Sequence, residues 1–367
     1  MSLEQLLQSK TTELGFDRIG IISAEPIPEA EERFQQWLAQ GYHGEMSYLS
    51  NNLQRRQNPQ QVLPGAKSMI VVAINYNPSP HLTPYALRLT PLSRNKGSTG
   101  RIARYAWGRD YHKVLDKKLK QLETFLHEIA PVPIQTKRYV DTGPILEKAY
   151  AEQAGIGFIG KNTLLISKGL GSWLFLGEIL TTLELNGSRA TLRPFDKVYP
   201  EPFDPSTMLR AGFAQGKLRR GAQGRQSSGQ ASHGSQFSSA CGSCTRCLDA
   251  CPTQAFTAPY QLDARKCIAY LTIEHRSPIP EELQPQMDDW IFGCDICQEV
   301  CPYNRHAPQT KEPAFHAEAG AGPTLSLDKV LAIQSDEEYL KRFQGTPLMR
   351  AKRVGLQRNA TVVLKNR

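Results

Sequence analysis

Apolar and polar positions follow two alternating periods over the first 185 residues. RIGIIS (18–23) and MIVVAINY (69–76) are short, β-branched apolar runs of the kind that form buried strands, whereas EAEERFQQWLAQ (29–40) has helical spacing and stops at Gly41. Between His112 and Ile129, the residues Leu115, Leu119, Leu122, Phe125, Leu126 and Ile129 recur every three or four positions. This predicts a helix with one apolar stripe packed on a sheet. RYV (138–140) runs into the turn Asp141-Thr142-Gly143-Pro144, and the helix-like ILEKAYAEQAG and the apolar stretches TLLIS and WLFLGEILTTLEL follow. Residues 1–185 therefore predict an α/β or α+β domain with a mixed sheet.

The periodicity stops near residue 186. GKLRRGAQGRQSSGQASHGSQFSS is rich in Gly, Ser and Gln with little to bury, so 186–238 is expected to be a disordered linker or insertion. A cysteine-bearing module follows over 239–310. Ser335-Asp336-Glu337-Glu338 then has the form of a capping box ahead of Tyr339, Leu340 and Phe343. With GTPLMRAKRVGLQRNATVVL it predicts a basic helical region over 311–367.

The formal net charge is +9, and Lys341–Arg367 holds eight Lys or Arg residues and no Asp or Glu. That pattern suits a polyanion such as RNA, and it equally suits a solvated tail. No apolar run is long enough for a membrane span, and the N-terminal stretch has no cleavable apolar core, so a cytoplasmic protein is expected.

All eight cysteines lie between Cys241 and Cys301. Cys241, Cys244, Cys247 and Cys251 precede Pro252 with the spacing C-x2-C-x2-C-x3-C-P. Zinc sites split four ligands into two separated pairs, whereas three thiolates this close suit one cubane, the fourth serving a second. A second set is present: Cys294, Cys297 and Cys301 before Pro302, with Cys267 upstream. Two 4Fe-4S clusters are expected, one on Cys241, Cys244, Cys247 and Cys301, the other on Cys251, Cys267, Cys294 and Cys297. With a thiolate for every iron, such clusters carry electrons and do little bond chemistry, so residues 1–185 should hold the site they supply.

Three motifs there invite a chemical reading. Gly155-x-Gly157-x-x-Gly160 matches a dinucleotide fingerprint, but it follows a helix and precedes an apolar stretch, so its glycines are expected to serve close backbone turns. Asp110-Tyr111-His112 matches the opening of the cobalamin-binding D-x-H-x-x-G motif, with Leu115 in the glycine position. Asp141, at a strand-to-turn junction, could donate a proton in a closed pocket or accept hydrogen bonds from turn N–H groups.

Together, RRQNPQQVLPGAKSMIVVAINY (55–76), GRIARYAWGRDYHKVL (100–115), RYVDTGPILEKAYAEQAGIGFIGKNTLLI (138–166), CGSCTRCLDACPTQAF (241–256), KCIAYLTIEHR (266–276) and IFGCDICQEVCPYN (291–304) resemble the epoxyqueuosine reductases. These are cobalamin-dependent enzymes of tRNA queuosine synthesis. The resemblance implies a cobalamin-binding domain, a ferredoxin-like domain with two 4Fe-4S clusters and a HEAT-like helical C-terminus. It also implies reductive removal of the epoxide oxygen in the tRNA anticodon loop, with an external low-potential electron donor. Asp141 is the implied proton donor, which asks for a carboxyl protonated at working pH and so for a pKa raised by burial beside the corrin. The implied corrin contacts are Arg56, Ala103, Asp141, Leu165, Leu176, Ala269, Arg276, Cys294 and Asp295, with Arg276 also able to meet a tRNA phosphate. Ala269 stands where the family often has Ser, and Ala103 has no group that could ligate cobalt. A monomer is expected.

Two other readings compete. A reductive dehalogenase-like corrinoid protein would carry a twin-arginine signal and have no use for a basic tail. A non-catalytic iron-sulfur carrier or RNA-binding module would bind no cobalamin.

Overall fold

The computed structural model describes residues 1–78, 98–185 and 240–367. The expected linker at 186–238 lies outside them. Strand Ser68–Asn75 runs through the middle of the first core, with all eight residues buried. Its side chains alternate between two faces, as the strand period requires. Ile70, Val72 and Ile74 meet Leu115, Leu119, Leu122 and Leu126 of helix Tyr111–Ile129, while Met69, Val71 and Ala73 meet Ala30, Tyr150 and Ala151. Each of those buried leucines contributes about 1.5–3 kcal/mol of transfer free energy.

The sheet order is Arg18–Ser23, Ser68–Asn75, Leu174–Thr181, Thr136–Tyr139. Every neighbouring pair is antiparallel, which corrects the expectation of a mixed sheet for this domain. The cause of the misreading is burial on both faces. Helices cover the sheet from each side, so its inner strands are continuously apolar like those of a parallel sheet.

A second, smaller sheet joins distant parts of the chain. Thr99–Ile102 pairs in parallel with Trp290–Phe292 and antiparallel with Thr324–Ser326. Helix Lys352–Lys365 packs on this sheet through Leu356, Ala360 and Val363, which meet Ile291 and Phe292. Residues after the cysteines also return to the first sheet: Ala307 and Phe315 enter its core, and the Asn75 and Asn77 side chains donate to the carbonyls of Pro308 and Ala307. No helix among the described residues is long and apolar enough to cross a membrane.

The C-terminal helix is held to the cysteine module by polar as well as apolar contacts. Fully buried Asn359 donates to the carbonyls of Thr272 and Ile291 at 2.8 and 2.9 Å, and Arg358 donates to those of Leu271, His275 and Ser277. Replacing Asn359 with Ala leaves two buried acceptors without their donor. The expected result is a loss of roughly 2–4 kcal/mol, read as a lower midpoint in thermal or urea unfolding.

Candidate active site and cluster centres

The cysteine module repeats one small device. Short helices Arg246–Asp249 and Ile296–Glu299 each carry a cysteine at their second position, end before a Cys-Pro, and pack on each other. All eight cysteines are free thiols. They fall into two neighbourhoods. Burial and then repulsion from Cys241, Cys247 and Cys244 push the Cys301 thiol up to about 11, although the Tyr303 N–H facing it opposes them. Cys294 is raised by burial and by Cys297 and Cys267, and Cys267 by burial and by Cys251. Cys297 feels Cys267, Cys247 and Cys251, so it stands where the two groups adjoin.

Backbone N–H groups point at the sulfurs, among them that of Ala255 at 3.3 Å from Cys251 Sγ. No three His, Cys, Asp or Glu side chains among the described residues are drawn together as around a single metal ion. A cubane spreads its four irons over separate corners, so it asks for wider ligand spacing than one ion does. Thiols in two fours, mostly half-buried, with N–H donors to share their charge, suit such clusters.

The module is tied to the first sheet by a buried polar network. Asn304 Nδ2 donates to Ser172 Oγ at 2.8 Å, Ser172 Oγ donates to Gln298 Oε1 at 2.9 Å, and the Ser172 N–H donates to Asn304 Oδ1 at 2.6 Å. Lys161 caps the first cysteine run from outside, its ammonium donating to the Gly242 and Cys244 carbonyls. The three glycines expected to serve backbone turns sit just before it. A Cβ on Gly157 would lie 2.3 Å from the Ile166 carbonyl oxygen, so the close neighbour is the strand Leu165–Ile166.

The other expected residues gather around a recess. Ala103 donates its N–H to the Phe292 carbonyl, and the Arg104 N–H donates to Asp295 Oδ2 at 2.7 Å. Gly293, at φ +71°, lets the chain turn into Cys294, and a Cβ there would lie 2.5 Å from the Ala103 side chain. Only glycine permits this approach. Burial pushes the Asp295 carboxyl up to about 6 against the pull of Arg104, and its Oδ1 has no protein partner. Arg56 donates to the Gly143 carbonyl at 3.3 Å, beside Asp141, while its buried Nε is unpartnered.

Leu165 and Leu176 pack on the second face of the sheet. Ala269 presents its N–H to Cys267. Arg276 lies further along the rim, exposed, where it donates to the Ala351 and Arg350 carbonyls. Tyr105 bridges the recess: it is partly buried, packs on Phe292 and Tyr111, and feels the charges of Asp141, Glu274 and Asp295 together. A cavity of about 590 Å³ elsewhere, lined by Pro252, Thr253, Arg265 and Pro280, holds none of the expected site residues.

Asp141 stands in the left-handed region at φ +57°. Its side chain is 58% accessible, yet desolvation by the surrounding protein is the largest influence on it, so it lines a concavity. Desolvation raises its pKa, but hydrogen bonds from His112 and Tyr111 and the charges of His112 and Arg350 outweigh it. The carboxyl is held below its ordinary range. The partners that decide this sign are 29 and 30 residues away in sequence, whereas the expectation of a raised value concerned a carboxyl buried beside the corrin.

Four residues here went unassigned in the sequence. Tyr111 donates to Asp141 Oδ2 at 2.7 Å, and His112 Nε2 lies 3.3 Å from the same oxygen. Glu178, at the centre of strand Leu174–Thr181 and wholly buried, faces Glu147 at the start of helix Glu147–Gln153. As carboxylates, both oxygens of Glu178 and one of Glu147 would have no donor, so a proton on Glu178 completes a hydrogen bond to Glu147. Glu147 in turn accepts the Asp141 backbone N–H. The available signals were the Asp110-Tyr111-His112 stretch and Glu178 in the middle of the apolar run WLFLGEILTTLEL.

These elements define a class: a two-cluster iron-sulfur oxidoreductase with a carboxylate-lined recess beside the second thiol group. A 4Fe-4S double cluster binding domain matches residues 240–304, and the model "Epoxyqueuosine reductase QueG, DUF1730" matches 56–142. The epoxyqueuosine reductase of Synechocystis sp. is 39% identical over 95% of this chain and 99% of its own, and that of Escherichia coli 34% identical over 99% and 81%. The chain belongs to the epoxyqueuosine reductase family. Among solved structures, an epoxyqueuosine reductase with an epoxyqueuosine-modified tRNA stem loop matches at TM-score 0.77 and 29% identity over 99% of this chain and 81% of that one. The Bacillus subtilis enzyme, with an aspartate catalytic loop swung out of its active site, matches at 0.75 and 28%, again over 99% and 81%.

The buried carboxyl pair has a consequence for stability. Burial and repulsion from Asp141 raise Glu147 to about 8, and burial and repulsion from Glu147 raise Glu178 well above the ordinary carboxylate range. A carboxyl raised in the folded state holds its proton there and loses it when unfolded, so stability is full below about pH 4.5 and falls as pH rises toward the folded values. Glu178→Gln keeps the shape and a donor without the charge. It is expected to flatten that fall and to gain roughly 1–3 kcal/mol at pH 8, measured by denaturant unfolding across pH.

Proposed function

We propose that this chain reduces epoxyqueuosine to queuosine in the anticodon loop of tRNA, with electrons passing through two 4Fe-4S clusters to cobalamin in the recess. The observation that carries the reading is the arrangement around Tyr105, with Asp141 on one side and the Cys294–Asp295 turn on the other. Cys241, Cys244, Cys247 and Cys301 would hold one cluster, and Cys251, Cys267, Cys294 and Cys297 the other, next to the recess. The unpartnered Arg56 Nε and Asp295 Oδ1 suit the carboxamide rim of a corrin, whose amides both donate and accept. Ala103, Leu165, Leu176, Ala269 and Arg276 complete the proposed contacts. Bound there, cobalamin would supply a low-valent cobalt nucleophile.

The residues of the chain do the rest. Removing an epoxide oxygen as water consumes two electrons and two protons. Asp141, whose side chain is 58% accessible, would hand a proton to the departing oxygen. Tyr105, Tyr111 and Phe175 form an aromatic wall that limits water beside it. The regions 1–185, 239–310 and 311–367 would serve as corrin-binding, ferredoxin-like and HEAT-like tRNA-binding parts of a cytoplasmic monomer.

In the basic C-terminal region, Arg350 is bidentate to Glu274 at 2.7 and 2.8 Å, and Arg353 pairs with Asp336 at 2.7 Å. Reversing either charge would break an internal ion pair, so Lys352 is the cleaner probe of RNA contact. Lys352→Glu is expected to weaken tRNA binding and to lower the salt slope by about one. Filter binding across salt concentrations measures both.

The reaction is tested by nucleoside mass spectrometry on epoxyqueuosine tRNA incubated anaerobically with cluster-loaded protein, cobalamin and a low-potential reductant. Loss of one oxygen is expected only with cobalamin present, and Asp141→Asn is expected to slow it by about 10²–10⁴-fold. Retention of the oxygen by fully loaded wild-type protein would contradict the reading.

A further inference from the structure

Asp141 is placed to deliver a proton, yet its partners hold the carboxyl in its ionised form. The proton it delivers must therefore come from a neighbour. His112 is the second residue of helix Tyr111–Ile129. Asp110 caps that helix, and its Oδ1 accepts the His112 backbone N–H at 3.1 Å and lies 2.8 Å from ring Nδ1. Nε2, on the opposite edge, lies 3.3 Å from Asp141 Oδ2. The ring is clamped in this line by stacking on Tyr111 at 4.1 Å, and Tyr111 stacks on Phe175 at 4.2 Å. One carboxylate on each nitrogen leaves the imidazole between two acceptors, a setting in which both nitrogens are best used as donors.

We propose that His112 is the proton reservoir of the site, held by Asp110 and discharging through Asp141 to the departing epoxide oxygen. This rests on the function proposed above. The step balances simply: the Nε2 proton passes to Asp141 Oδ2, and from Asp141 to the leaving oxygen. Nε2 itself is buried, so the neutral imidazole recovers its proton by the reverse path, from water through the Asp141 carboxyl, whose side chain is 58% accessible. One site thus serves both protons that the reaction consumes. Acting through Asp141, His112 is a positioning and proton-supplying residue.

The electrostatics agree. Burial lowers the pKa of His112, and a helix N-terminus also disfavours a cation there. Hydrogen bonds and charge from Asp110 and Asp141 outweigh both and bring it to about 9. The other charges nearby act on the two carboxylates: Lys113 on Asp110, and Arg350 and Glu147 around Asp141.

The test has two arms. In the first, ¹³C-histidine NMR of the cluster-loaded protein follows the His112 resonance, assigned by its loss in His112→Gln. It is expected to titrate near pH 9 and to shift at least one unit lower in Asp110→Asn; titration at the ordinary value near 6.5 would overturn the proposal. In the second, single-turnover deoxygenation is followed from pH 6 to 10. Wild type is expected to lose rate tenfold per unit above pH 9. His112→Gln, which keeps an amide donor toward Asp141 but cannot release a proton, is expected to bind tRNA and cobalamin normally and react about 10²-fold more slowly. A wild-type rate and profile in His112→Gln would show that the histidine only caps. Should wild type itself leave the oxygen in place, the proposed function fails, while the NMR arm still decides the relay.

Discussion

The structure depends on the close approach of Gly293 to Ala103. At this point the backbone turns out of strand Trp290–Phe292 into Cys294 with no space for a side chain, so the second thiol group is brought against the wall of the recess. The parallel pairing of Thr99–Ile102 with Trp290–Phe292 holds the contact from one side. The C-terminal helix, through Asn359, holds it from the other. Under the proposed function, an electron site at Cys294 and a proton site at Asp141, 153 positions apart, would need such a rigid joint, because both would act on one small volume.

Charge in the recess is divided with care. Asp141 is kept ionised by His112 and Tyr111, while Glu147 and Glu178 behind it are pushed toward their neutral forms. Three carboxyls in one neighbourhood cannot all be charged. Burial selects which two give way, and the turn carrying Asp141 in a left-handed conformation is steadied by the N–H it presents to Glu147.

The cysteines were legible in the sequence because ligand spacing is local: a C-x2-C-x2-C-x3-C-P run constrains its own geometry before any tertiary contact forms. The helix Tyr111–Ile129 was legible for the same reason, its stripe of leucines being a local period. Strand direction was not, since Ser68–Asn75 is buried on both faces and an apolar run carries no sign of its neighbour's direction. The protonation of Asp141 was hidden as well, because it turns on contacts of about 3 Å to residues from another helix. Likewise Glu178 looked like one polar residue in an apolar strand, and only its partner Glu147 gives it meaning.

The central claim is that the cluster on Cys294 and its group lies beside the recess that Asp141 lines, so that electrons and protons converge there. Paramagnetic relaxation in pulsed EPR tests it directly, with cob(II)alamin bound and the clusters either oxidised or reduced. Strongly faster relaxation of the cobalt signal on cluster reduction is predicted. A bound cobalt whose relaxation ignores the cluster state would contradict the account.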